Sequence, residues 1–184
     1  FVATDSFRLA EKRLAPAGKV GAQPRLILPV RNVLEMMRIF EGVEEPVVVS
    51  YTGHQLSLEA PGIYVTSRLV DGVFPDYRQI MPKEFKAEAI VLKEDLLNAF
   101  KLTTLFSDRF NQLHLHLDPK RKLFEVSAKS GEFGEGASSL PAALSGERLE
   151  SNFNHRYIAD CLQTITADSV AFRFSGENRP LLIG

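Results

Sequence analysis

AEAIVLKEDLLNAFKLTTLF, residues 87–106, is the stretch that decides the fold. AEAIVL, residues 87–92, reads as a short strand. EDLLNAFKLTTLF, residues 94–106, reads as a helix of about three turns, because Leu96, Leu97, Phe100 and Leu105 lie close to one apolar stripe at a spacing near 3.6 residues. Strands follow: LHLHL at 113–117, where leucine alternates with period two, and KLFEVSA at 122–128.

The same order occurs on either side. Upstream, LILP (26–29) precedes VRNVLEMMRIF (30–40), with Val30, Val33, Leu34, Met37 and Phe40 in one stripe, and then VVVSY (47–51) and QLSLEA (55–60). Downstream, ERLESNF (147–153) precedes HRYIADCLQTI (155–165), striped by Tyr157, Ile158, Cys161, Leu162 and Ile165, and then VAFRF (170–174) and LLI (181–183). Aligned on Val33, Leu96 and Ile158, the helix cores are 96 − 33 = 63 and 158 − 96 = 62 residues apart. That period is too long for a solenoid. It fits an α+β protein built from a duplicated β-α-β-β-β module, with helices on one face of antiparallel sheets. Gly72, Gly146, Gly176 and Asp118-Pro119 punctuate turns.

VFPDYRQIMPKEF, residues 73–85, is the strongest linker. Pro75 and Pro82 both oppose helix and withhold ladder donors. It predicts a domain boundary near Pro82, with domains at 1–82 and 83–184. The chain opens on an apolar strand-like FVAT and closes on PLLIG. Both ends read as cuts through a longer protein, the first domain incomplete at its start and the second lacking its last strand.

Composition narrows the function. Among 184 residues, 45% are hydrophobic, which argues against intrinsic disorder, and 22 basic against 23 acidic side chains give a net charge of −1. A protein gripping many phosphates is normally basic, so any nucleic-acid contact is a light one by a locally basic face. The single cysteine, Cys161, excludes an internal disulfide and fits a reducing, cytoplasmic setting. No apolar run is long enough to span a membrane, and no signal peptide is expected.

Three motifs carry a family resemblance: ATD-x-x-RLA at 3–10, LVDG-x-FPDY at 69–77 and FN-x-x-Y at 153–157. In this order, with the module period between them, they resemble the bacterial sliding clamp, the beta subunit of the replicative DNA polymerase, from within its second domain to late in its third. The resemblance implies a DNA-clamp fold, no catalytic residues, no cofactor and no metal. It implies a homodimeric ring around duplex DNA, held topologically and without sequence preference. It also implies a groove that takes peptides from the polymerase, the clamp loader and other partners.

Carried onto this chain, the groove residues are Thr4, Ser6, Phe7, Arg8 and Leu9, Pro75, Gln79 and Ile80 from the linker, Asn154 and Tyr157 at the third helix, and Asn178 and Pro180 in a nearby loop. Ser6-Phe7 stands where the family often has Gly-His, and Gln79 where it often has a second basic residue. The family's final Met-Pro-Met type strand is absent, so the fragment is expected to bind peptides poorly. Arg31, Arg38, Lys101 and Arg156, on polar helix faces, are the candidates to face DNA, with Glu35, Glu94 and Asp160 on the same faces. Thr104, Leu105 and Phe106 are the candidates for the subunit contact.

Two rival readings remain at this point. His114 and His116 point to one side of a strand, as the ligands of a metal-dependent enzyme do, although no third ligand lies at the usual spacing. Alternatively, the chain is an interaction module of clamp fold that does not encircle DNA. GEFGEG, residues 131–136, lacks the Lys-Ser/Thr and the helix start of a phosphate loop and is expected to be a turn. Ser138, Ser139 and His155 have no Asp placed to complete a nucleophile site.

Overall fold

Proline placement separates the sheets from their connections. The computed structural model describes residues 1–15 and 24–184, and these fall into two compact units. One holds Phe1–Ala3 and Leu9–Asp76; the other holds Thr4–Arg8 and Tyr77–Gly184. The division after Asp76 lies inside the predicted linker, and Pro82 falls in the second unit.

In the first unit β1 (Val2–Thr4) pairs with β2 (Leu9–Glu11), Thr4 itself being grouped with the second unit. Helix α1 (Val30–Ile39) is followed by β3 (Val48–Tyr51), β4 (Gln55–Ala60) and β5 (Ile63–Arg68), an antiparallel meander. LILP is not a strand. Pro29, its last residue, has no N–H donor, and Ile27 contributes one carbonyl, to the Val70 N–H. Pro29 instead starts α1, its extended φ of −61° and ψ of 130° leaving its carbonyl to accept from Asn32 and Val33. The predicted stripe of α1 is also shifted. Met36 is the buried residue, while Val30, Leu34 and Met37 are exposed.

The second unit holds β6 (Ala87–Leu92), α2 (Lys93–Thr103), β7 (Gln112–Asp118), β8 (Leu123–Ser130), β9 (Gly134–Leu140), β10 (Ala142–Gly146), β11 (Leu149–Asn154), α3 (His155–Thr164), β12 (Ser169–Phe174) and β13 (Leu181–Ile183). Thr104–Phe106 tightens into a single 3₁₀ turn, so the last predicted turn of α2 is not α-helical. Of GEFGEG, Gly131–Phe133 turns and Gly134 onward belongs to β9.

Two antiparallel four-stranded sheets result, ordered β10-β6-β12-β13 and β11-β7-β8-β9. Pro141 separates β9 from β10, and the chain changes sheet there. A residue with no N–H cannot carry either ladder through that corner. Alternation then fills the core. Leu113, Leu115 and Leu117 of β7 are fully buried, as are Phe124 and Val126 of β8 and Val170 and Phe172 of β12. Phe124 meets Phe172 at 6.0 Å, and Phe153 meets Phe174 at 6.3 Å, joining the two sheets. Leu96 and Phe100 of α2, with Ile158 and Leu162 of α3, complete the same cluster. Among the described residues no helix is long and apolar enough to cross a membrane.

Candidate functional site

The Thr4–Arg8 turn is braced by its own side chains. Ser6 adopts a left-handed φ of 75°, uncommon without glycine. Short polar side chains hold the turn in that shape. Asp5 Oδ1 accepts the N–H groups of Phe7 and Arg8, each at 3.1 Å. Thr4 Oγ1 donates to the Arg8 carbonyl at 2.8 Å and accepts from the Ser6 N–H at 3.3 Å. The Phe7 N–H bond, followed by bonds from Arg8, holds the Asp5 carboxyl below its ordinary pKa.

This turn carries two side chains to α3. The Arg8 guanidinium lies 4.7 Å from the centre of the Tyr157 ring, a cation–π geometry. Its Nη1 donates to Asp160 Oδ2 at 2.5 Å, and its Nε to Asp5 Oδ2 at 3.0 Å. Asp160, then Asp5, raise the Arg8 pKa above its usual value. Phe7, 80% exposed, sets its ring 6.4 Å from Tyr157. Helix α3 starts where it does because Asn154 caps it, its side-chain oxygen accepting from the Arg156 N–H at 3.0 Å.

Of the predicted groove residues, Phe7, Arg8 and Tyr157 are therefore in mutual contact, with Asn154 at the head of the same helix. Asn178, at a left-handed φ of 51°, donates its N–H to Ser151 Oγ, and the Pro180 carbonyl accepts from Ser175. Ile80 closes the 3₁₀ turn after Tyr77 and is exposed; Gln79 lies in that turn. Leu9 and Pro75 belong to the first unit, half-buried and exposed respectively.

An open hollow of about 380 Å³, lined by Phe110, Gln112, Asn152, Phe153 and Asn154, adjoins the head of α3. Phe110 is 65% exposed, with Arg109 stacked 4.8 Å from its ring centre. Sequence reading missed it. The available signal was an aromatic directly after Asp108-Arg109, where Asp108 Oδ1 accepts the Phe110 N–H and fixes a turn.

The other predicted sets are placed as follows. Arg31, Arg38, Lys101 and Arg156 are exposed on their helices, and Arg38 pairs with Glu35 at 2.7 Å. Thr104 bonds back to the Phe100 carbonyl at 2.6 Å. Leu105 points to solvent at 69% exposure, whereas Phe106 folds inward against Gly136, where a Cβ would collide with its ring.

His114 and His116 flank Glu150, at 3.8 and 3.5 Å, and Arg148 takes the same carboxylate at 2.6 Å. Among the described residues no group of three or more His, Cys, Asp or Glu is arranged to hold a metal ion. The metal-enzyme reading therefore has no support in the geometry.

Residues 1–76 match the family model for the DNA polymerase III beta subunit, central domain, and residues 78–184 the model for its C-terminal domain. The beta sliding clamp of Vibrio cholerae is 32% identical over 183 residues, which cover 99% of this chain and 49% of that protein. The beta sliding clamp of Bacillus subtilis is 29% identical over 184 residues, covering 98% and 48%. The crystal structure of the B. subtilis DNA polymerase sliding clamp matches with a TM-score of 0.92 at 29% identity, over 99% of this chain and 48% of that one. The structure of the Pseudomonas aeruginosa sliding clamp bound to griselimycin matches at 0.91 and 28%, over 99% and 49%. The chain spans about half the length of the curated relatives it matches.

Proposed function

This chain belongs to the DNA polymerase III beta subunit family, and from that premise we propose that it is part of a sliding clamp. The whole protein would close as a homodimeric ring on duplex DNA. It would hold the replicative polymerase, the clamp loader and other partners through peptides they insert into one groove, and perform no bond chemistry. The observation that carries the groove is the Thr4–Arg8 turn fastened to α3 through Arg8, Tyr157 and Asp160.

The physics favours a short apolar peptide. Tyr157 and Phe7 offer an aromatic surface, and Ile80 of the linker is exposed. Leu9 and Pro75 are proposed on the family resemblance alone. Each leucine or phenylalanine anchor removed from water contributes about 1.5–3 kcal/mol. Two or three anchors, less the ordering cost, correspond to roughly micromolar affinity. Thr4, Ser6, Asn154, Asn178 and Pro180 would set the peptide's course, and the Phe110 hollow would extend its bed. Arg31, Arg38, Lys101 and Arg156 would meet the duplex through loose phosphate contacts compatible with sliding. Leu105, exposed on its 3₁₀ turn, would be the main side chain at the subunit contact, with Thr104 and Phe106 shaping it.

Titration of a Gln-Leu-x-Leu-Phe peptide against the full-length protein tests the groove. Saturable binding is expected, weakened about tenfold or more by Tyr157→Ala. Griselimycin, which the P. aeruginosa relative binds, is a second probe for the same variant. Unchanged binding of both would remove the groove. Retention on nicked circular DNA and release on linearisation is the outcome expected of a ring. Equal retention on both, or on neither, would leave an interaction module that does not encircle DNA.

A further inference from the structure

Arg8 is held by two anions of different origin. Asp5 belongs to its own turn, whereas Asp160 is 152 residues away in sequence. Asp160 follows Tyr157 by three positions on α3, so carboxylate and ring lie on one helix face. Arg8 spans both, with Nη1 at 2.5 Å from the carboxylate and Cζ at 4.7 Å from the ring centre. The arginine and aspartate side chains are 43% and 56% exposed, so the pair adds little to stability in so wet a setting. Its physical effect is on orientation. A guanidinium on a long flexible stem samples many rotamers, and a second acceptor restricts this one to a place over the Tyr157 ring.

We propose that Asp160 is a positioning residue for the peptide groove: it fixes Arg8 over Tyr157, so that an aromatic wall and unspent guanidinium donors are already arranged when a peptide arrives. This rests on the groove reading above and names what that groove takes at this point. Nε–H and one Nη1–H are spent on Asp5 and Asp160, and the remaining N–H groups of the five-donor fork stay available. Two carboxylates already answer one cation. The guanidinium is already answered twice, so an acidic peptide group gains little from it, and the matching partner chemistry is a neutral carbonyl acceptor next to a bulky apolar side chain.

The experiment is a fluorescence-polarisation titration of the Gln-Leu-x-Leu-Phe peptide against the full-length protein and its variants at about 50 mM and about 500 mM salt. Asp160→Ala is expected to weaken binding roughly two- to fivefold at low salt, with the deficit shrinking at high salt and the melting temperature unchanged. Asp160→Glu should recover most of the loss. Placed on an Arg8→Ala background, Asp160→Ala should add nothing, because its effect runs through that arginine. Tyr157→Ala is the control. If it weakens binding while Asp160→Ala does not, the inference fails and the groove stands. An undiminished Asp160→Ala deficit on the Arg8→Ala background also overturns it. If Tyr157→Ala is silent too, the groove reading falls and takes the inference with it.

Discussion

The two units apply the same strand-helix-strand grammar with opposite results. In the second unit two sheets and two helices enclose a single core, and Phe124, Phe172, Leu96 and Leu162 have essentially no exposure. In the first, one helix and one three-stranded meander bury few side chains among the described residues: Met36, Leu56 and Ala60, with Ser67. Val48, Val49 and Tyr51 of β3 and Leu34 and Met37 of α1 remain exposed. An amphipathic helix and a one-sided sheet carry more apolar surface than a single pairing of the two covers, and two packed layers closed on all sides are needed to hide it. The chain spans about half the length of the curated relatives it matches, so this exposed apolar surface describes these 184 residues and does not rank the copies of the repeat by stability.

Substitutions that separate the units sharpen this contrast. Phe172→Ala, at the aromatic junction of the two sheets, is expected to cost about 3–5 kcal/mol, and Met37→Ala on the open face of α1 within about 0.5 kcal/mol. Chemical denaturation followed by circular dichroism measures both, and equal costs would break the contrast. Turn glycines come next. Gly146 has φ of 90°, and a Cβ there would strike the Lys86 carbonyl, so Gly146→Ala should cost about 2–4 kcal/mol. Gly62 has φ of 76° with open space around it, so Gly62→Ala should cost only the backbone term, about 1 kcal/mol. Asn154→Ala removes the α3 cap and should cost about 1 kcal/mol in the same assay; α1, entered from Pro29, has no side-chain cap to lose.

The smallest effect is on pH. Burial, and then the neighbouring Arg156, hold the His155 imidazole below its ordinary pKa of 6.5. The fold thus favours neutral His155, and the unfolded chain takes up the proton at higher pH. The stability His155 contributes is complete above about pH 6.5 and is lost as pH falls below it towards the depressed value. Denaturation midpoints at pH 7.5 and 5.5 should differ less in His155→Gln than in the parent, and an identical pH response in both would remove this histidine from the account.

Much of the second unit was legible because its local and global signals agree. Alternation in LHLHL put Leu113, Leu115 and Leu117 inside, and the helical spacing from Leu96 to Phe100 named the α2 face. Where the reading failed, a competing rule had won. LILP has a strand's composition, but it ends on Pro29, which withholds a ladder donor and opens α1 instead. Leu105 fits the α2 stripe by spacing, but the 3₁₀ turn swings it outward. In α1 the buried residue is Met36, whereas the predicted stripe ran through Met37.

The candidate site divides in the same way. ATD-x-x-RLA and FN-x-x-Y marked Thr4, Arg8, Asn154 and Tyr157 by pattern, while Phe110 and the role of Asp160 carried no such mark. Sequence by itself determined the repeat and the inward faces of the second unit's strands, because these depend on spacings of a few residues. Tertiary structure decided that Arg8 lies between a ring and a carboxylate some 150 residues further along, because a hydrogen bond and a cation–π contact are facts about distance in space, and a spacing of 152 has no periodicity to announce them.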